Sequence, residues 1–546
     1  MTGTPLIPLI VLLANITVAD APPPKPKLVV AITIDQFRPD YLHRFLPYFG
    51  AGGFNLLLKR GANFTGARYE HSVTSTCPGH AVVLTGSHGN VNGIINNDWY
   101  DAATGREVYC AGDSLGKVIG RPKKEGRSPR NLIGHTVGDE LKLATAGRSR
   151  VIAVGGKDRS AIMLGGHLAD AAYWPVDTLV VSSTYYLKDL PQWVRRFNAS
   201  GAMSAYAGKV WERLLPAADY DAVGRDDVAG EEAVGARGRV FPHRIDGLAP
   251  SLERYVTSFE YSPFHNEVIA EFAMKALVEE GLGRDSVPDL LAISLAAIDR
   301  VGHAYGPHSH EVMDIVIRTD RLLERFFAFV DQQVGLANTL IVLTADHGVA
   351  PLPESVEAIK PEAARGRRMN PATIVAAAKG RLDRRFGALA APGWIVHHEP
   401  PWIYLNVSAL QRRGLSVELA EREARDAMEK VPGVQQAITA TDLRLLSQPP
   451  QSPAAFSFLP ARAGNIYYSM RPYWLVEAHE SGASHGSPWS YDARVPLLWF
   501  GSGISPATHT GTVSVADVAP SLAFLLGISE PGGSTGRVLS EMLRRE

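Results

Sequence analysis

Only two cysteines, Cys77 and Cys110, occur in 546 residues, which excludes a disulfide-rich framework and a zinc site built from thiolates alone. They can form at most one disulfide, and the sequence leaves open whether they do. Neither sign of charge is in surplus, with 55 Lys and Arg against 56 Asp and Glu. No global basic field therefore exists to hold nucleic acid or an anionic membrane, and anion recognition must be local. No run of 18 clean apolar residues is present to serve as a permanent membrane span. No internal repeat is found, which argues against a repeat array.

What is present is apolar material in quantity. Hydrophobic residues make up 45% and charged residues 20%, the balance of a compact globular protein long enough for more than one structural unit. Near the N-terminus an apolar run, Pro5 to Val18, leads into Ala19-Asp20-Ala21 and three prolines. This reads as the h-region and cleavage site of an export signal over residues 1–21, giving a periplasmic or secreted protein. Lys and Arg are absent before the run, and a buried N-terminal strand or helix is the competing reading.

Beyond the prolines, short β-branched runs read as buried strands: Lys27 to Ile34, Val151 to Val154, Leu290 to Ala297 and Thr339 to Leu343. Each runs into polar residues, respectively Asp35, Lys157, Asp299 and Asp346-His347. Helical periodicity fills Asn266 to Glu280 and Glu311 to Gln333. Alternating strand and helix predicts an α/β fold with a mostly parallel central sheet sandwiched by helices, whose ligand site lies at the carboxyl ends of the strands. Two stretches interrupt this rhythm. Residues from about Leu187 to Val256 suggest an insertion or lid, and those from about Pro351 to Met470 a small α+β insertion. The expected division is a catalytic unit over residues 27–350 and 471–546, with 351–470 inserted. A strand at Val495 to Phe500 and a helix from Val515 to Leu526 close the chain.

Asp35, Asp299 and Asp346, with His303, His347 and His485, form a set of three carboxylates and three imidazoles suited to two closely spaced zinc ions. Gly348 is read as allowing a tight turn after His347. His308 and His310 are read as surface or helix-start residues. In Thr74-Ser75-Thr76-Cys77-Pro78-Gly79-His80, Pro78 and Gly79 suit the start of a helix. Thr76 then either caps that helix or presents its hydroxyl where free N–H groups favour an anion, and local sequence leaves both open.

In order along the chain, Ile34-Asp35, Thr76 to His80, Asn92 to Asp101, Gly156-Lys157-Asp158-Arg159-Ser160, Asp299 to His303, Asp346-His347-Gly348 and Ser484-His485-Gly486 resemble the motifs of the alkaline phosphatase superfamily. The resemblance is to single-chain bacterial alkaline phosphatases related to the nucleotide pyrophosphatase/phosphodiesterases. It implies Thr76 as nucleophile and two Zn2+ per chain, one held by Asp299, His303 and His485 and the other by Asp35, Thr76, Asp346 and His347. It leaves open whether Ca2+ is also bound. Asn97 and the Cys77 N–H would donate to phosphoryl oxygens, and Lys157 and Arg159 would favour a dianionic monoester over a diester. A monomer acting on small-molecule phosphate esters through a phosphothreonine intermediate is implied. The alternatives are a phosphodiesterase on the same scaffold and a non-catalytic zinc protein that binds phospho-ligands. Thr76 and His80 stand where a sulfatase would carry its formylglycine precursor and Arg, which disfavours that activity. Asn92 replaces a His common among relatives.

Overall fold

The computed structural model describes residues 25–544 except 122, 236, 358–364, 447–451 and 478. The expected export signal lies outside the described residues. Nine strands make the main sheet: β1 (Leu28–Ile34), β2 (Ala62–Arg68), β3 (Val151–Gly155), β4 (Ala171–Val176), β5 (Leu179–Val181), β6 (Asp289–Leu295), β7 (Thr339–Thr344), β8 (Leu497–Gly501) and β9 (Ala507–Ser514). Their order is β9-β2-β8-β7-β1-β6-β3-β4-β5. The centre, β7-β1-β6-β3-β4, is parallel throughout, and antiparallel neighbours enter only with β8 and β5. The α/β sheet expected from strand and helix alternation is thus present. Strands β1, β6 and β7 are buried along their whole length, which is why they read as continuous apolar runs rather than alternating ones.

Register then decides where the chemistry goes. Ile34 pairs with Leu295, Thr33 with Thr344, and Ser294 with Gly155. Parallel strands in this register release Asp35, Ala296, Ala345 and Gly156 along one edge of the sheet. The helices that matter to the site are α1 (Thr76–Thr85), α2 (Asp158–Gly165), α3 (Pro263–Glu279), α4 (Ala297–Tyr305), α5 (His310–Gln333) and α6 (Val518–Leu526). Helix α3 starts three residues before the expected Asn266, because Ser262-Pro263 supplies an N-cap position and a proline at N1. The expected last helix divides into a 3-10 turn, Val515–Asp517, fastened by a capping box between Ser514 and Asp517, and α6.

The stretch from 187 to 256 contains the helices Gln192–Ala199 and Leu252–Glu260 and a two-stranded pair, Val210–Trp211 with His243–Arg244. It is fastened to α5 at Asp314, which accepts hydrogen bonds from Trp211 Nε1 at 2.6 Å and from the Leu214 N–H at 2.7 Å. His310, the first residue of α5, is 5% exposed rather than on the surface. Its Nδ1 lies 3.3 Å from Asp226 of this stretch. Between β7 and β8 a separate four-stranded antiparallel sheet (Ile395–Glu399, Trp402–Leu405, Ile466–Met470 and Val434–Thr439, in that order) packs with the helices Pro371–Phe386 and Val417–Met428. Ile374, Leu382, Trp394, Leu410 and Met428 form a core of their own there.

Cys77 and Cys110, both fully buried, are joined as a disulfide across 33 residues of sequence. A link of that span restricts the unfolded chain by about 3 to 4 kcal/mol. The double substitution Cys77→Ala/Cys110→Ala is expected to lower the melting temperature by several degrees, measured by scanning calorimetry against the parent protein. An unchanged transition would show that the link does not restrain the unfolded chain.

Candidate active site

Helix α1 begins at Thr76, with Ser75 in the N-cap position and extended. Thr76 is therefore the first helical residue, not the cap, and Ser75 makes no side-chain cap bond. The helix is buried on every side. Gly79, in its first turn, lies so close to the chain at Asp346 that a Cβ would fall 2.1 Å from the Asp346 carbonyl oxygen. The glycine of this motif thus lets the helix that begins at Thr76 press against the end of β7. Gly348 serves in the same way. Its φ is not left-handed, and a Cβ would meet the Tyr491 carbonyl at 2.2 Å, so close approach rather than a tight turn requires glycine there.

The three carboxylates converge. Asp35 and Asp346 are fully buried and Asp299 is 4% exposed. Asp35, Asp346 and His347 present ligand atoms within 4.8 Å of one another, and so do Asp299, His347 and His485. His347 belongs to both groups, because its ring stacks on that of His485 with centroids 3.6 Å apart. The expected division gives His347 to the ion of Asp35, Thr76 and Asp346, and His303 to the ion of Asp299 and His485. His303 lies at the rim, its side chain 35% exposed, with Nε2 3.2 Å from Asp299 Oδ1. His303 and His485 are each fixed by a backbone carbonyl at Nδ1, from Ala483 and Thr74 respectively, both at 2.7 Å. That leaves Nε2 of each ring for a ligand.

Lys157 leaves the end of β3 and places Nζ 2.7 Å from Asp35 Oδ2 and 2.6 Å from Asp299 Oδ2, bridging the two acidic groups. The same Nζ is 3.4 Å from Thr76 Oγ1, and a terminal nitrogen of Arg159 is 3.5 Å from it. Arg159 Nε is buried and has no hydrogen-bond partner. Asn97 is placed by α1 itself, since its Oδ1 accepts the Cys77 N–H at 2.9 Å. That bond corrects one expectation: the Cys77 N–H is taken by Asn97, and the side-chain NH2 of Asn97 is the donor that remains.

Electrostatics separates the acids. Burial, together with Asp299 and Asp346, pushes the Asp35 carboxyl well up, whereas at Asp299 burial is outweighed by Lys157 and His303, which hold it well down. At Asp346 burial is likewise outweighed by His347 and His80, and its carboxyl is lowered. Burial, then the neighbouring imidazoles His347 and His303, depresses His485, and burial also depresses His347, so both favour the neutral form that ligates metals. At Arg159 burial is outweighed by Tyr109 and Asp158, which keep the guanidinium charged.

Sequence reading gives no positioning role to the residues that hold these groups in place. Gln36 donates its backbone N–H to Asp346 at 3.1 Å and its side-chain amide to Asp299 at 2.8 Å, tying the ends of β1, β6 and β7 together. Its φ of 63° in a non-glycine residue is a feature no sequence pattern announces. His80 bridges the Thr76 carbonyl and Asp346 through Nδ1, at 2.8 and 3.1 Å, and reaches Ser294 through Nε2. Its position one helical turn after Thr76 was the available signal. Asp158 accepts Tyr109 at 2.6 Å and Arg127 at 2.7 Å beside Arg159.

Comparison with known proteins agrees with this geometry. The family model described as type I phosphodiesterase/nucleotide pyrophosphatase matches residues 29–491. The alkaline phosphatase PhoV of Synechococcus elongatus is 33% identical over 529 residues, covering 95% of this chain and 93% of that protein. The alkaline phosphatase PafA of Elizabethkingia meningoseptica is 32% identical over 540 residues, covering 96% and 95%. The crystal structure of wild-type PafA matches with a TM-score of 0.88 over 95% of this chain and 99% of that one. Human ectonucleotide pyrophosphatase/phosphodiesterase 5, at 14% identity and a TM-score of 0.54, shares the fold alone. With motifs, geometry and relatives in agreement along nearly its whole length, the chain is an enzyme of the type I phosphodiesterase/nucleotide pyrophosphatase family, within the alkaline phosphatase superfamily.

Proposed function

We propose that this enzyme hydrolyses phosphate monoesters by passing the phosphoryl group first to Thr76 and then to water, with two zinc ions bound. The observation that carries this reading is the convergence of Lys157 and Arg159 on Thr76 Oγ1, beside two groups of buried acids and imidazoles. The donor set fits such ions. It mixes carboxylate oxygen with imidazole nitrogen, and Asp35 Oδ1 and His347 Nε2, 3.5 Å apart, are both buried without a hydrogen-bond partner. Asp299, His303 and His485 would hold one ion, and Asp35, Thr76, Asp346 and His347 the other. Bound zinc supplies Lewis acidity, lowering the pKa of a coordinated hydroxyl and stabilising charge on a leaving oxygen.

The chain's own part is orientation and charge. Thr76 Oγ1, at the first residue of α1, forms the new bond to phosphorus while the bond to the leaving alcohol breaks and that alcohol takes up a proton. The dipole at the start of α1 and the Thr76 N–H favour the anion, the Cys77 N–H being taken by Asn97 and Pro78 having none. Lys157 and Arg159 place two cationic donors beside the transferred group, which suits the two charged oxygens of a monoester better than the single one of a diester. Asn97, held by the Cys77 N–H, directs its amide NH2 role at a further oxygen. Water then cleaves the phosphothreonine, releasing inorganic phosphate and restoring the hydroxyl. The reading includes export through residues 1–21 and a catalytic unit of residues 27–350 and 471–546.

A diesterase reading has one observation in its favour, the description of the matching family model. Comparing p-nitrophenyl phosphate with its bis ester separates the two: a higher kcat/KM on the diester would overturn the monoesterase. Thr76→Ala is expected to lower turnover by about four orders of magnitude. Quenching the parent enzyme in acid during turnover of a labelled monoester should leave label on Thr76. Label elsewhere, or none, would sink the covalent route. Lys157→Ala is expected to reduce kcat/KM on the monoester by about 100-fold and less on the diester, and equal losses would remove the specificity argument. Chelation should abolish activity and lower the melting temperature, with Zn2+ at 100 times its Kd restoring about 2.7 kcal/mol of stability. A transition indifferent to zinc would contradict the assigned ligands.

A further inference from the structure

Beside Ser75, Asn97 and His485 opens a cavity of about 350 Å³, walled on its far side by the four-stranded sheet of the insertion. Its lining includes four carboxylic acids, Asp98, Glu399, Glu477 and Asp492, and among the described residues that line it none is Lys or Arg. The chain as a whole is nearly neutral, so this is a local concentration of one sign. A chamber next to the phosphoryl-transfer site, but not containing Lys157 or Arg159, is where the remainder of a substrate would sit.

The acids are positioned by the same contacts that position Asn97. Asp98 follows Asn97 in the chain. Glu399 ends the strand Ile395–Glu399, and the next residue, Pro400, accepts a hydrogen bond at its carbonyl from Asn96 Nδ2 at 2.9 Å. Asn96 Oδ1 in turn accepts the Asn97 N–H at 2.8 Å. Among the described residues neither Asp98 nor Glu399 has an ion pair. Burial, then Asp98 and Glu107, pushes Glu399 up to about 7, and burial with Glu107 pushes Asp98 up to about 6 against the opposing charges of Arg159 and Arg127. A buried carboxylate raised by its acidic neighbours, as Glu399 is by Asp98 and Glu107, gains from a cation placed beside it. Asp492, 1% exposed, gives Oδ2 to Ser487, while its Oδ1 is buried without a partner. Trp474 and Tyr491 add aromatic side chains to the same lining, and an aromatic ring attracts a cation rather than an anion.

We infer that this cavity is a leaving-group subsite for alcohols bearing a positive charge, so that phosphomonoesters of amino or quaternary ammonium alcohols are favoured over those carrying a second anionic group, with Glu399 and Asp98 as the discriminating residues. The inference rests on the monoesterase reading above. It also gives the insertion a role, because Glu399, Trp474 and Glu477 come from it or from the segment that follows it.

A matched two-carbon series tests this with the zinc-loaded enzyme: phosphoethanolamine, 2-hydroxyethyl phosphate and 2-phosphoglycolate. The expected order of kcat/KM is ammonium, then hydroxyl, then carboxylate, with at least about tenfold between the ends. Intrinsic leaving-group reactivity differs among the three, so the decisive quantity is how the ammonium-to-carboxylate ratio changes in variants, from which that reactivity cancels. Glu399→Gln should reduce the ratio by about three- to tenfold, Asp98→Asn should reduce it in the same direction, and Glu399→Lys should reduce it further. A preference of the parent enzyme for 2-phosphoglycolate, or a ratio unmoved in all three variants, overturns the inference while leaving the monoesterase standing. Failure to turn over any ester overturns both.

Discussion

Three carboxylates, Asp35, Asp299 and Asp346, meet below the surface at one edge of a parallel sheet, and the rest of the site answers to the charge they bring. Buried anions this close need compensation by cations or by donated hydrogen bonds. Lys157 bridges two of them, Gln36 donates to two, and His80 with His347 faces the third. Thr76 is fastened to the same arrangement. Helix α1 can start at Thr76 only because Gly79 lets it lie against the Asp346 backbone, and His80 binds both the Thr76 carbonyl and the Asp346 carboxylate. Position of the hydroxyl and charge of the site are thus one structural problem.

The disulfide extends this coupling outward. Cys77 follows Thr76 and Cys110 lies beside Asn97, whose carbonyl accepts the Cys110 N–H at 2.8 Å and whose side chain accepts the Cys77 N–H. Asn97 is therefore held from two sides by the two half-cystines. Its neighbour Asn96 then carries the connection to the four-stranded sheet through Pro400, so that the wall of the cavity beside Asn97 is referenced to the same helix start as Thr76.

Fold and site were legible to different degrees. Continuous β-branched runs identified β1, β3, β6 and β7 to within two residues, because strands buried on both faces must be apolar throughout. Boundaries slipped where caps rather than periodicity decide, as at Ser262-Pro263 for α3 and Ser514 for the turn before α6. Parallel pairing brings strand ends to one edge, so Asp35, Lys157, Asp299, Asp346 and His347 could be grouped before any contact was known. Sequence alone does not single out Gln36, and it gives His80, though part of the Thr76 to His80 motif, no partner, because an amide and a helical histidine have many uses and only their contacts reveal the one made here.

The sequence by itself determined which residues arrive at the carboxyl edge of the sheet, since element type and parallel order follow from local composition. Only the tertiary structure decided how they pair. His347 stacks on His485 and so belongs to both acidic groups, Lys157 bridges Asp35 and Asp299, Asn97 takes the Cys77 N–H, and Glu399 reaches a cavity beside a residue some three hundred positions away. These are contacts between side chains far apart in the chain, set by register, ring stacking and close approach at glycine, none of which leaves a periodic trace. Thr76 shows the difference in one residue. Its place near a helix start was readable from Pro78 and Gly79, but its standing as first helical residue beside Lys157 and Arg159 depended on the packing of α1 against β7 and on where β3 ends.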